Sequence, residues 1–255
     1  MLLLFVLTAT PRFWHRRMVW LWAIVLGLVV LLMSGAGSEE QISATQWGGL
    51  PLSLLLSAVS FAGAFPIAVL LALGRRSSMG GVRSLCIGFI EVMRGVPMIA
   101  VLYAATLLVP MMLPDGLALD KLLRVQIAML LFFSAYLAEI IRAGLQALPA
   151  GQYEAARSLG LSYWASVRLV ILPQALRSVV PALVTLAIGI FQATSLVAVV
   201  GIFDLLNAAK ASATDPNWLG FYDEAFVFVA LIYFALCFSA SRYSLWLERA
   251  LSYGR

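Results

Sequence analysis

Six stretches of this chain, each of roughly twenty mostly apolar residues, leave it one environment in which to fold, a lipid bilayer. A helix rises about 1.5 Å per residue against a hydrocarbon core about 30 Å thick, so about 20 apolar residues make one span. The stretches run approximately Met18–Ala36, Leu50–Leu73, Gly95–Leu113, Val125–Ile141, a longer one within Val170–Val200, and Ala225–Trp246. Composition agrees: 63% of residues are hydrophobic and 11% charged, whereas soluble domains carry about 45–50% apolar residues. The expected fold class is an all-α integral membrane protein of about six transmembrane helices. Nothing like a soluble second domain or a long flexible linker interrupts the 255 residues.

Charge placement then sets orientation, because Lys and Arg near helix ends stay on the cytoplasmic side. One side collects Arg12, Arg16, Arg17, Arg75, Arg76, Arg83, Arg94, Arg142, Arg157, Arg168, Arg177, Arg242, Arg249 and Arg255. The other holds Lys121, Arg124 and Lys210. Both termini are therefore expected in the cytoplasm, with the loop around Glu154 on the same side and Glu39, Glu40, Asp115, Asp120, Asp204, Asp215, Asp223 and Glu224 outside. The net charge of +5 would suit nucleic acid only if it formed one stripe, and here it is scattered over helix ends, so no nucleic-acid partner is expected.

At the amino end, Met1–Leu7 is too short to span, and Pro11–Arg17 reads as an interfacial anchor with aromatics at headgroup level. Met1–Thr8 reads equally as the remnant of a longer extension or as a simple start. The first long stretch exceeds a signal-peptide core and sits late, so an uncleaved helix is expected in place of cleavage near Ser34–Gly37. Cys86 and Cys237 lie in apolar surroundings without a partner at metal-ligand spacing, and His15 is the sole histidine. No metal site and no Ser-His-Asp triad can be assembled. No phosphate-cradling Gly-rich loop ending in Gly-Lys occurs, and Lys121 and Lys210 are the only lysines, so the chain is expected to bind no nucleotide and to be no enzyme.

One segment has the shape of something that docks. Gln152-Tyr153-Glu154-Ala155-Ala156-Arg157-Ser158-Leu159-Gly160-Leu161-Ser162 contains no apolar run fit for lipid. It reads as two short helices around a hinge, with Gly160 in the left-handed conformation and Ser162 capping the second helix. Ala155 and Ala156 keep one surface shallow, and Glu154 and Arg157 stand at i and i+3, where they can pair. A helix-Gly-helix pattern alone fits an ordinary polar connection between two membrane helices just as well.

The spacing is more specific. Glu154-Ala155-Ala156, three residues, Gly160, nine residues, Val170, one residue, then Leu172-Pro173 resembles the signature loop of the membrane subunits of ABC importers, with Val170 where Ile is usual. Phe89–Pro97, Ala135–Arg142 and Thr194–Val197 are similar to segments of the polar amino-acid branch of these permeases. Gly48–Leu52, Leu73–Ser77 and Val109–Pro114 are most similar to its broad-specificity general L-amino-acid members. The resemblance covers roughly Trp47 to Leu251. It implies a type I ABC importer transmembrane domain over 50–251, preceded by an interfacial segment and one extra helix in 1–49. It implies a coupling loop around 150–173, with Glu154, Ala155, Ala156, Arg157, Gly160, Leu172 and Pro173 facing an ATPase. It also implies the partners: a second permease subunit, as a paralogue, an ATPase dimer that binds ATP and Mg on the cytoplasmic side, and an external substrate-binding protein. The setting is the bacterial inner membrane. Polar or assorted L-amino acids are the expected substrates, with opines or similar derivatives as the alternative class. An ion-gradient-driven secondary transporter is the alternative mechanism, but its internal inverted repeats and buried acidic relays are not visible.

Within the membrane, the fifth stretch has about 31 residues, or roughly 46 Å if fully helical, more than a straight span needs. A break or tilt is expected, with Gly189 and the polar run Gln192, Thr194 and Ser195 as its place, since interrupted backbone is tolerated where it lines a cavity. Those three are candidates for the substrate path, or else bridge helices by hydrogen bonds. The resembling permeases read Lys-Asp-Thr-Ser-Leu here, whereas this chain reads Gln192-Ala193-Thr194-Ser195-Leu196. Ala182, Ala187, Gly189, Ala193 and Ala198 are small enough for close helix contacts. Glu91 with Arg94, and Glu139 with Arg142, stand three apart near helix ends and read as structural ion pairs, and Pro97 suggests a bend.

Overall fold

The computed structural model of the chain describes residues 24, 27, 28, 30–32, 47–112, 114, 119–218 and 220–252. The described positions of the first expected span are helical. The rest of that span, the Pro11–Arg17 anchor and Met1–Thr8 lie outside the described residues. Four helices among the described residues are long and apolar enough to cross a membrane, and a bent pair makes up to five.

The core is a helix pair. Helix α1, Gly49–Gly74, buries Leu52, Leu56, Ser60, Ala64, Ala68 and Ala72. These recur every fourth residue, so they form one stripe, and its small members let a neighbour come close. That neighbour is α4, Lys121–Ala147, which starts where the Asp120 carboxylate accepts from the Leu122 amide at 2.8 Å. It buries Val125, Met129, Phe132, Phe133, Leu137 and Ile141. Gln126 donates to Ser60 Oγ at 2.7 Å, so a polar side chain at membrane depth finds its partner inside the bundle. Farther along, α4 also meets α6, Tyr163–Val200. A Cβ on Gly144 would lie 2.6 Å from the Ala175 carbonyl oxygen, so only glycine allows this approach.

The expected span Gly95–Leu113 is corrected by the structure. Helices α2, Gly80–Gly95, and α3, Met98–Met112, meet at a bend of 103°. Val96, which precedes Pro97, is extended, with φ −101° and ψ 136°, because the proline ring disfavours the helical region for the residue before it. The apolar run therefore begins in a corner, and α2 is an additional helix.

Prolines also shape the two π-helical segments, Ala104–Leu108 within α3 and Val167–Ile171 within α6. Each ends two residues before a proline, Pro110 and Pro173. Proline has no N–H and its ring collides with the carbonyl four residues back, and a wider turn moves that carbonyl aside. Thr106, four before Pro110, gives its carbonyl to Arg124 Nη1 at 3.1 Å. Farther along α6 the helix stays α-helical through Gly189 and tightens into a 3₁₀ segment, Thr194–Val200. The irregularity thus falls on the polar run and not on Gly189.

Two further long helices follow among the described residues. Helix α7, Leu205–Thr214, is capped by Asp204, and α8, Tyr222–Ser252, packs against α6 and α7. The α8 surface is mostly uncovered, with Phe228, Leu231, Phe234 and Phe238 exposed.

Candidate functional site

The hairpin between α4 and α6 is built as a cap sequence. Helix α5, Ala150–Ser158, ends where the Gly160 amide donates to the Arg157 carbonyl at 2.9 Å and the Leu161 amide to the Ala156 carbonyl at 3.2 Å. This paired closure requires a left-handed residue, and Gly160 has φ +70°. Ser162 Oγ then accepts from the Ala165 amide at 3.3 Å, starting α6. Polar clips hold the hairpin against the bundle. Tyr153 donates its hydroxyl to the Leu145 carbonyl at 3.0 Å, and Arg76 donates to the Tyr153 hydroxyl at 2.8 Å and to the Leu145 carbonyl at 3.2 Å. Gln174 Nε2 donates to Gln152 Oε1 at 3.0 Å.

The signature residues divide between two faces. Glu154 and Ala155 are exposed, as is Pro173, while Leu172 is half-buried. Ala156 is 1% exposed and packs inward, so the shallow surface expected of both alanines belongs to Ala155 alone. Glu154 and Arg157 form no ion pair among the described residues, because the hairpin is held by its caps and clips without one. Beside the exposed face stand Leu159, Tyr163 and Trp164, all exposed, with the last two in edge contact at 5.3 Å.

A second constellation is centred on Glu139. The Glu139 carboxylate receives Arg75 at 3.1 Å, Arg94 at 3.8 Å, and Arg142 through Nε at 2.9 Å and through a closer Nη2 contact. Arg75 also reaches Glu91 at 3.6 Å. The expected Glu139–Arg142 pair is present. The expected Glu91–Arg94 pair is not: Glu91 turns to Arg75 and Arg94 to Glu139, with its guanidinium 5.8 Å from the Tyr136 ring. One carboxylate thus gathers cations from α1, α2 and α4, which the local i, i+3 reading could not anticipate. Arg75 and Arg76 were missed as a joint feature, although two arginines directly after an apolar stretch are the visible trace of it.

The polar run in α6 does not converge on one spot. Thr194 is fully buried and donates to the Phe191 carbonyl at 2.7 Å, Ser195 donates to the Gln192 carbonyl at 2.9 Å, and exposed Gln192 reaches Cys237 Sγ at 3.7 Å. Gln192 and Ser195 retain surface with which to meet a solute. Asp204, read only as an outside charge, is fully buried and accepts from the Leu206 and Asn207 amides at 3.1 and 3.0 Å. Burial pushes its carboxyl above the ordinary range, and these amide bonds pull it back. Ser53 Oγ accepts from the Leu205 amide at 3.0 Å, tying this cap to α1. Among the described residues no group of three or more His, Cys, Asp or Glu stands where it could hold a metal ion.

With this geometry in hand, the relatives are informative. The family model described as "Binding-protein-dependent transport system inner membrane component" matches residues 64–253. The inner membrane amino-acid ABC transporter permease protein YhdY of Escherichia coli (strain K12) is 48% identical over all of this chain and 71% of its own length. The glutamate/glutamine/aspartate/asparagine transport system permease protein BztC of Rhodobacter capsulatus is 49% identical over 83% of this chain, which spans about half (49%) of that relative. A crystal structure of an amino acid ABC transporter with histidines superposes with a TM-score of 0.69 at 32% identity, covering 79% of this chain and 92% of that one. A family match over most of the length, near-half identity across the whole chain and this shared fold make it a multi-pass inner-membrane protein belonging to the binding-protein-dependent transport system inner membrane components, an amino-acid ABC importer permease subunit.

Proposed function

We propose that this chain forms half of a translocation path with a second permease subunit, a paralogue, and that its Ala150–Ser166 hairpin docks into a groove of a separate ATPase dimer that binds ATP and Mg. The observation that carries the reading is the hairpin itself. Its two helices are locked by the Gly160 closure, the Ser162 cap and the Arg76–Tyr153 clip, while Glu154, Ala155 and Leu159 point away from the bundle. A rigid body held at its base transmits displacement, whereas a flexible loop dissipates it.

The positive charge near the helix ends supports cytoplasmic termini and a cytoplasmic hairpin. An external binding protein delivers the solute to the opposite side, and the residues before α1 form an additional helix outside the transmembrane domain of 50–251. Polar or broadly assorted L-amino acids are the substrate class, as the names of the relatives suggest. Gln192, exposed, and Ser195, half-buried, are the open members of the candidate path.

The test is to tag the chain at its carboxyl end, purify it gently from its native membrane and identify its companions by mass spectrometry. An ATPase and a second permease with its own Glu-Ala-Ala loop are expected. A well-folded preparation carrying neither sinks the reading. In the reconstituted complex, Glu154→Arg should leave the protein in the membrane and basal hydrolysis measurable while uptake per ATP falls about tenfold, the equivalent of about 1.4 kcal/mol of lost docking. Unchanged uptake argues against the hairpin as the coupling element.

A further inference from the structure

A cavity of about 470 Å³ lies between the hairpin and the ends of α1 and α4. Its wall is two-sided in chemistry. Arg76, Arg157, Tyr153 and Ser166 supply cationic and hydroxyl groups, whereas Leu73, Leu145 and Ile171 supply aliphatic surface. No acidic side chain lines it. Arg76 hydrogen-bonds Leu145 and Tyr153 through Nη1, with its guanidinium 5.3 Å from the Tyr153 ring, and its Nη2 and Nε have no hydrogen-bond partner among the described residues. Arg157 sits in the signature loop and is expected to face an ATPase, and although exposed it lines this cavity and forms no ion pair among the described residues.

We infer that this cavity binds the phosphate headgroup of an anionic bilayer phospholipid, with Arg76 and Arg157 on the phosphate and the aliphatic wall along the start of the acyl chains. The inference rests on the proposed cytoplasmic placement of the hairpin. The volume is within the roughly 300–1,000 Å³ of small-molecule sites, and basic pockets between transmembrane helices near the cytoplasmic surface suit anionic headgroups. A soluble phosphate would use the arginines but leave the aliphatic wall facing water. A zwitterionic lipid would bring its own cation against two guanidinium groups with no carboxylate beside them. The bound lipid would brace the hairpin against the bundle at the place where the Arg76–Tyr153 clip already holds it.

The test uses the intact transporter, delipidated in detergent and followed by native mass spectrometry without nucleotide. Phosphatidylglycerol is titrated against phosphatidylcholine, with glycerol phosphate as the soluble competitor. Phosphatidylglycerol should be retained preferentially, and Arg157→Gln and Arg76→Gln should each weaken retention about fivefold, corresponding to about 1 kcal/mol per surface arginine. Arg168→Gln, an exposed arginine that does not line the cavity, should leave retention unchanged. Because Arg76 also clips the hairpin, Val167→Trp provides a second probe that fills the space without changing charge, and it should abolish retention while thermal unfolding confirms a folded protein. Equal retention of both lipids, or equal behaviour of the Arg157 and Arg168 variants, overturns the inference. Displacement by glycerol phosphate at the concentrations that suffice for the lipid also overturns it, by assigning the site to soluble phosphates. Failure of the ATPase to co-purify would strike the coupling reading and leave these lipid results standing.

Discussion

Arg75 and Arg76 are consecutive, and they part at the end of α1 to serve two regions built on opposite plans. Arg75 enters the ionic node around Glu139, assembled from α1, α2 and α4. Arg76 clips the hairpin, whose closures run between residues at most five apart. The node depends on distant segments arriving together, and the hairpin depends on local caps. A region of the first kind should transmit damage to the whole bundle. A region of the second kind should fail by itself and leave the bundle standing.

Substitutions can break or sharpen that contrast. The largest effect is expected from Glu139→Gln, which leaves Arg75, Arg94 and Arg142 facing one another without their shared carboxylate. The group is only a quarter exposed, so the loss should fall at the lower end of the range for breaking a buried pair, about 3 kcal/mol. A fall in thermal unfolding temperature, with loss of monodisperse protein in detergent, is the readout. If Arg75→Gln with Glu139→Gln costs as much as the sum of the two single changes, the node is not a cooperative unit.

Gly160→Val comes next, because a β-branched residue at φ +70° should cost about 1–2 kcal/mol of local structure. Hydrogen exchange should rise in 150–166 and nowhere in α4, and uptake should fall while the bundle's unfolding temperature holds. Spread of the exchange into α4 would erase the distinction between the two regions. Ser162→Ala removes the second cap, whose bond is long at 3.3 Å, so about 0.5 kcal/mol is expected, read as fraying at Tyr163–Ser166 by the same exchange experiment. Glu91→Gln should be the mildest, at under about 0.5 kcal/mol, since its side chain is 58% exposed and its arginine is 3.6 Å away. A loss as large as that of Glu139→Gln would show that the node has two centres.

The same division explains what could be read from residue order. The hairpin was legible because Gly160 and Ser162 act on backbone groups a few positions away, so spacing carries the geometry. The i, i+3 rule found Glu139–Arg142 within one helix, then misassigned Glu91–Arg94, because nothing local announces that Arg75 and Glu139, 64 residues apart, offer closer partners. Ala156 failed similarly: which of two adjacent alanines faces inward depends on the angle at which α5 leaves α4. The corner at Val96 was half visible, since Pro97 announced a bend while the helix before it carried too many charges to read as a span.

Residue order by itself determined the solvent, the helical class, the hairpin and the family resemblance, because apolar length, cap chemistry and motif spacing are properties of neighbouring positions. Only the tertiary structure decided which carboxylate gathers the arginines, that Thr194 is sealed while Gln192 remains open, and that Arg157, itself exposed, borders a cavity together with Arg76. The physical reason is that burial and ion pairing depend on how close the helices come. That approach is set by a stripe of small residues on α1 and by a single glycine on α4, whose effect appears only when another backbone is laid against them.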